Sequence, residues 1–177
     1  MNKLVLAGGI LTCLLMVSFS GCVEQDPFEG LAYVNTYYNY GFNPPEGFTN
    51  QTIPEGIVFY GPTEHDFKIY LGVTPRFTLQ GSETLTEYMF QLIQNYSQKL
   101  NDFTLRSIQN KIINKMESCE IIYTFNSTAE PDKQLKVKQV GYEKGGTIIA
   151  VTYAAPFESF GTYLENVNQS FDSFVMT

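Results

Sequence analysis

The sequence predicts an α+β fold in which helices pack on the faces of an antiparallel sheet. Several short segments alternate apolar and polar residues, which is typical of half-buried strands. Two longer segments repeat apolar residues at spacings of three and four, which is typical of amphipathic helices. Because the strands follow one another while the helices lie at the middle and the end of the chain, we expect an antiparallel sheet with helices on its faces.

The first elements of the chain are short and rich in turn residues. A tyrosine-rich run covers residues 33–40. Two prolines and two glycines then mark residues 41–48 as a turn. Three further short elements are expected, namely a strand at 56–60, a turn at 61–66 and an alternating strand at 67–73.

Two helices are predicted. The first covers residues 82–100, where Thr84 and Glu87 have the spacing of a capping box. The second covers residues 156–174, with Pro156 in its first turn, a position that tolerates proline. The apolar stripe of each helix is expected to face the protein core.

Four strands are expected between the two helices, at 103–108, 119–125, 135–140 and 147–154. The segment 147–154 is apolar on both faces, so we expect it at the centre of the sheet. The run from Glu143 to Gly146 predicts a hairpin turn before it. Cys119 is the one cysteine outside the N-terminal segment and is expected to pack as a small apolar residue.

The N-terminal segment has the features of an export signal. A positive Lys3 is followed by an apolar stretch and then by Ser20, Gly21 and Cys22. The Ser-Gly-Cys ending resembles the lipobox of prokaryotic lipoproteins, although Phe19 stands where Leu is usual. We therefore expect a signal peptide at 1–21, a lipid-anchored tether at 22–32 with the lipid on Cys22, and a globular domain at 33–177.

Two other outcomes for this segment remain open. Residues 4–23 carry no charge and, at about 1.5 Å per residue, are long enough to cross a hydrocarbon core as an uncleaved anchor. The leader is alternatively removed without lipidation, which releases the domain. Each outcome places the domain outside the cytoplasm, and the expected position is the outer face of the cell membrane.

The charge of the chain argues against nucleic acid as a partner. The formal net charge is −7, and the leader contributes one lysine and no acid, so the mature chain has a charge of −8. Binding to phosphate backbones relies on Lys and Arg that displace counterions. An acidic surface instead favours solubility and contacts with cations or basic partners.

Three groups of residues are candidate sites. Asn50 and Asn126 begin Asn-x-Thr sequons in polar stretches and are possible glycosylation sites. Tyrosine offers a large contact area with a polar group, so an interaction surface is predicted at Tyr33, Tyr37, Tyr38 and Tyr40. The alternative for these four tyrosines is packing along an edge strand.

The third candidate is the run of Glu64, His65 and Asp66, whose side chains are able to ligate a cation or position a base. The alternative is a solvated turn. His65 is the single histidine, so metal motifs that need a histidine pair are excluded. The sequence also lacks a phosphate-binding loop, the dinucleotide glycine pattern and a serine nucleophile elbow. We therefore expect no cofactor and no catalytic residue.

The order of motifs resembles PsbP-like proteins. The likeness is carried by YGFNPPEGF at 40–48, EKGGTIIAVTYAA at 143–155, FESFGTYL at 157–164 and SFDSF at 170–174. The family's opening segment usually ends in Trp, whereas this one ends in Phe48. The resemblance implies an α/β/α sandwich that serves as a noncatalytic binding or assembly module. The chain is similar to the PsbP-related lipoproteins of bacteria and archaea, and no ligand-binding motif of the family matches it position by position.

These observations predict a noncatalytic, surface-anchored protein that binds or helps to assemble an envelope protein partner. One alternative is a lipoprotein that binds a small ligand or a cation. A second alternative, a hydrolase of envelope material, is disfavoured because the residue types that it needs are sparse.

Overall fold

The computed structural model describes residues 26–54, 56–79 and 83–177. The predicted leader and Cys22 lie outside this range. In the described part, the elements are β1 (Tyr33–Asn35), β2 (Tyr40–Phe42), β3 (Thr49–Ile53), β4 (Gly56–Glu64), β5 (Phe67–Thr78), α1 (Leu85–Lys99), β6 (Asn101–Ile113), β7 (Met116–Asn126), β8 (Gln134–Lys144), β9 (Thr147–Pro156), α2 (Leu164–Asp172) and β10 (Val175–Met176). Neither of these helices is long and apolar enough to cross a membrane.

A large antiparallel sheet of seven strands has the order β3-β4-β5-β9-β8-β7-β6. The central position of β9 confirms the prediction from its apolar residues, since Ile148 and Ile149 are buried on opposite faces. A small antiparallel sheet has the order β1-β2-β10. The predicted α+β class, with helices on the faces of an antiparallel sheet, is confirmed.

Tight turns join three pairs of neighbouring long strands, and the β6–β7 turn lies at Asn114 and Lys115. Gly145 and Gly146 both have positive φ and form the predicted β8–β9 turn. The β4–β5 turn lies at His65 and Asp66, so the prediction of a turn over 61–66 was wrong for its first residues. Strand β4 continues past Pro62 because the pairing register shifts between Tyr60 and Thr63, where a residue without an N–H is tolerated.

Helix α1 packs on one face of the sheet, over β6, β7 and β8. The Thr84 hydroxyl accepts the N–H of Glu87 at 3.2 Å, and the Glu87 carboxylate accepts the N–H of Thr84 at 2.8 Å, which confirms the capping box. Cys119 is buried beneath the helix, as predicted. A Cβ at Gly141 would lie 3.1 Å from the sulfur of Met89, so glycine there lets the helix approach closely.

The opposite face is covered by the small sheet and by α2. Their aromatic side chains pack on β4, β5, β8 and β9 around Phe174. The prediction of a helix from residue 156 was wrong for its first half. Pro156 still pairs with Leu135, and the N–H of Phe157 donates to the Gln134 carbonyl at 2.9 Å, so the chain remains paired with the start of β8 there.

The two faces of the large sheet are covered over different sets of strands. Helix α1 lies over β6–β8, and no other helix of the described residues covers the same face of β3–β5. On the other face, the small sheet and α2 lie over the middle of the sheet, and β6 and β7 carry polar side chains instead. The two open half-faces are diagonally opposite: one contains a groove and the other a cluster of paired charges.

Candidate functional site

The structure divides the four predicted surface tyrosines into two pairs. Tyr40 has 0% exposure, which corrects its assignment to an interaction surface. Its ring lies in the core 5.5 Å from that of Phe174. Tyr33 is partly buried, with its ring 5.5 Å from that of Phe59. Alternation along a short strand explains this, because β1 and β2 turn these side chains inward.

The other pair forms an exposed tip between β1 and β2, here called the tyrosine tip. Tyr37 is 83% exposed and Tyr38 is 45% exposed. The side-chain oxygen of Asn35 accepts both of their N–H groups, at 3.1 and 3.0 Å. The two rings meet edge to face with centroids 4.6 Å apart. The local hydrogen bonds therefore hold two large aromatic side chains in the solvent.

Glu64, His65 and Asp66 do not converge on one point. Glu64 accepts the Tyr163 hydroxyl at 2.5 Å, while Asp66 accepts from Lys133 at 3.4 Å. His65 instead faces Glu158 at 3.9 Å. Hydrogen bonds from Ser159 and Tyr163 lower the pKa of Glu64. Across residues 26–54, 56–79 and 83–177, no group of three or more His, Cys, Asp or Glu side chains is arranged to hold a metal ion.

The two sequons occupy different surroundings. Asn50 lies exposed on the edge strand β3, and not in the loop that its polar neighbours suggested. Asn126 is half-buried at the end of β7, where its amide donates to Asp102 at 2.7 Å. Asn50 is therefore the more accessible of the two side-chain amides.

A buried ion cluster spans β6, β7 and β8 on the α2 side of the sheet. In this lysine–glutamate cluster, Glu120 accepts from both Lys111 and Lys138 at 2.9 Å. Lys138 also donates to Asn168 of α2 at 2.8 Å and lies 4.8 Å from the Phe171 ring. Every charge in the cluster is paired, so these contacts hold α2 on the sheet and leave no free acid or base.

Glu120→Gln is expected to flatten the acid limb of the stability profile. Burial raises the pKa of Glu120, but hydrogen bonds and charges from Lys138 and Lys111 outweigh it, so the pKa is lowered. The stabilisation from the ionised carboxylate is therefore complete above the unfolded-state pKa of about 4.3 and is lost as the pH falls through the lower folded-state value. Urea unfolding between pH 7 and 3 measures it. Glu117→Gln, on the same strand but exposed, is the control, and parallel acid limbs in Glu120→Gln and the unchanged chain would contradict the assignment.

The open half-face beside α1 contains the tyrosine groove. Its floor is the sheet, and Tyr96 of α1 forms one wall. The cavity has a volume of ≈ 360 Å³. The residues that line it are Ile53, Val58, Tyr60, Tyr70, Gly72, Thr74, Tyr96, Tyr123, Gln139, Ala150 and Thr152. Small side chains on the floor and large rings at the wall together produce the depression.

The chemistry of the tyrosine groove is suited to contact and hydrogen bonding. None of its described side chains carries a charge at neutral pH. The Tyr96 hydroxyl donates to Gln139 at 3.3 Å, and its ring lies 5.3 Å from that of Tyr123. Burial raises the pKa of Tyr70, so its hydroxyl stays protonated and able to donate. The lining therefore provides aromatic surface and neutral donors, without a nucleophile beside a base.

Sequence reasoning missed this groove, although one signal was present. Tyr60 and Tyr70 lie at outward positions of two strands that were predicted separately, and they face each other directly in the β4–β5 register. Recognising the pair requires the register, which follows from the turn at His65 and Asp66. The contribution of Tyr96 depends on where α1 lies on the sheet.

No protein-family model and no curated protein matches the sequence. Solved structures do match the fold. Cyanobacterial PsbP (CyanoP) of Synechocystis superposes with a TM-score of 0.59 at 17% identity, covering 82% of this chain and 91% of that one. LpqN of Mycobacterium tuberculosis, involved in cell envelope biogenesis, gives 0.60 at 10% identity, covering 78% and 83%. The Ran-binding protein Mog1p of Saccharomyces cerevisiae gives 0.57 at 9% identity, covering 81% and 93%.

These likenesses show that the chain has a PsbP/Mog1-like fold. The expected resemblance to PsbP-like proteins is thus confirmed at the level of the fold. The identities are too low to carry a binding partner or a site from any of these proteins to this chain.

Proposed function

We propose that this chain is a noncatalytic binding module, tethered to the outer face of the cell membrane through lipid on Cys22, whose tyrosine groove receives a segment of an envelope protein. The main support for this proposal is the composition of the groove. It combines four tyrosine rings with a floor of small residues and neutral hydrogen-bonding groups. Tyrosine is enriched at protein–protein interfaces, because its ring provides contact area and its hydroxyl forms directional hydrogen bonds.

The edge of the sheet beside the groove favours a protein segment as the occupant. Strand β3 pairs with β4 on one side only, so its other side presents backbone donors and acceptors. An extended segment is able to add to such an edge and place alternate side chains on the adjoining face. Ile53, at the end of β3, already lines the groove. The edge and the groove thus form one continuous surface for an extended chain.

The structural neighbours support this proposal by analogy. LpqN is involved in cell envelope biogenesis, and Mog1p is a Ran-binding protein. The same fold therefore occurs in a protein involved in cell envelope biogenesis and in a Ran-binding protein. The export features around Cys22 agree with an envelope location for this chain.

The proposal is tested by photocrosslinking in intact cells. A photoreactive residue in place of Thr74, on the groove, is expected to capture a reproducible protein neighbour, whereas one in place of Phe90, exposed on α1, is not. Thr152→Arg should lower the capture at position 74 by about tenfold, the equivalent of about 1.4 kcal/mol, because a long charged side chain then fills the floor. Phe90→Arg is the matched control. Equal capture at positions 74 and 90, or capture unaffected by Thr152→Arg, would argue against the groove.

A small-molecule occupant is the second candidate, favoured by the volume of the groove. A cavity of ≈ 360 Å³ lies within the range of ligand sites. Native mass spectrometry of the chain purified from membranes distinguishes the two. A bound small molecule that is absent from Thr152→Arg would support this second candidate, and a protein adduct at position 74 would support the first.

A further inference from the structure

We propose that one end of the domain rests on the lipid headgroup layer, with the tyrosine tip inserted in the interface. This inference rests on the membrane tether of the proposed function and adds the orientation of the domain. The membrane-facing end is defined by the tyrosine tip, Pro27, the β6–β7 turn at Asn114 and Lys115, and the β8–β9 turn at Gly145.

Contacts place these parts together. One cavity is lined by Pro27, Lys115, Gly145 and Thr177, which come from four separate parts of the chain. The N–H of Thr177 donates to the carbonyl of Asn39, the residue that follows the tyrosine tip, at 3.1 Å. The point where the described chain begins is therefore at the same end of the molecule as the tip and the two turns.

The length of the tether keeps this end close to the bilayer. Asp26, the first described residue, is four residues from Cys22, and four residues span at most about 14 Å in any conformation. A lipid on Cys22, or an uncleaved leader ending there, thus holds Asp26 within about 14 Å of the headgroups and Pro27, one residue further along, within about 18 Å. Strand β9 begins at the turn at Gly145 and is ten residues long, so at about 3.3 Å per residue its far end, at Pro156, lies about 30 Å along the strand from that turn.

The exposed apolar side chains of this end suit an interface. Among the described residues, six large apolar side chains are exposed, and Tyr37, Tyr38 and Ile112 belong to this end. Ile112, which is 72% exposed, pairs with Glu117 beside the β6–β7 turn. Tyrosine is favoured at headgroup depth because the ring is apolar and the hydroxyl stays hydrated.

Charge contributes little to this contact. Lys115 and Lys144 at this end are matched by Glu117 and Glu143, which line the same cavity. Attraction to an anionic surface requires an excess of basic side chains, and the described residues of this cavity show none. The tip is therefore expected to insert in neutral phosphatidylcholine as well as in anionic lipid.

The chain contains no tryptophan, so a single introduced tryptophan reports on its own depth. The full chain, purified from membranes, is reconstituted in phosphatidylcholine vesicles with or without brominated acyl chains. Tyr37→Trp and Tyr38→Trp are expected to show a blue shift in emission and strong quenching by the brominated lipid. Phe157→Trp, an exposed aromatic position after the far end of β9, is expected to show neither.

The outcomes separate this inference from the tether. Equal quenching at positions 37, 38 and 157, or water-like emission from both tip variants in a vesicle-bound chain, overturns the orientation and leaves the tether intact. Intact mass shows whether the chain begins at lipidated Cys22 or retains its leader. A chain that lacks both and does not bind vesicles overturns the tether and the orientation together.

Discussion

Lys138→Met is expected to lower the free energy of unfolding by about 3 kcal/mol, because it leaves a carboxylate buried with an incomplete set of partners. Lys138 contacts Glu120 at 2.9 Å and Asn168 at 2.8 Å, and it is the more buried of the two lysines of the cluster. Its loss removes the contact that joins β7 to α2. Lys111 still pairs with Glu120, which keeps the expected loss at the low end of the range for a broken buried ion pair.

Urea unfolding at pH 7 measures this loss, and two further variants identify its cause. Lys111→Met removes the more exposed lysine and should cost less than Lys138→Met. The double variant Glu120→Leu with Lys138→Met should recover most of the stability, because apolar side chains of similar size replace a buried ion pair at little cost. If the double variant is less stable than Lys138→Met alone, the loss arises from packing and not from the unpaired carboxylate.

Residue patterns anticipated the parts of the fold that depend on local chemistry. The centre of the sheet was evident at 147–154, because a strand with both faces buried must be apolar on both. The capping box at Thr84 was evident because its partners are three residues apart. In both cases, a short stretch of sequence contains the whole cause.

The errors fall where distant contacts overrule a local pattern. Phe157 and Phe160 have helical spacing with the residues that follow, but Phe160 packs 4.9 Å from the ring of Tyr153 and its carbonyl accepts the Tyr153 hydroxyl. That contact holds 157–163 as turns. Pro62 suggested the end of a strand, whereas a register shift in the pairing accommodates it.

The candidate sites were harder to predict than the fold, because a site depends on which parts of the sheet remain uncovered. The tyrosine groove exists because α1 lies over β6–β8 and not over β3–β5. The direction of each tyrosine in the run 33–40 was fixed by pairing in β1–β2 and by the turn at Asn35, so Tyr40 is inside and Tyr37 outside. From composition alone, all four tyrosines would be expected to have the same exposure.

Phe174→Ala is expected to lower the free energy of unfolding by about 3–5 kcal/mol, the usual cost of truncating a buried phenylalanine. Its ring stacks on Tyr142 at 4.4 Å and on Tyr40 at 5.5 Å, so the substitution leaves a cavity between the large sheet and the small one. The backbone carbonyl of Phe174 also accepts the Asn114 amide at 2.9 Å, next to the start of β10. Strand β10 in turn pairs with β2, so the cavity lies where the β1–β2 hairpin packs on the large sheet.

Chemical denaturation compares this variant with Phe90→Ala, whose ring is exposed on α1 and whose truncation should change stability by no more than about 0.5 kcal/mol. Phe174→Leu keeps part of the volume and should lie between the two. Equal stability of Phe174→Ala and Phe90→Ala would mean that the small sheet contributes little to the core. In that case, the tyrosine tip would not be held rigidly to the sheet. A loss confined to Phe174→Ala instead makes the small sheet part of the cooperative core, and the tip then takes its position from the whole domain.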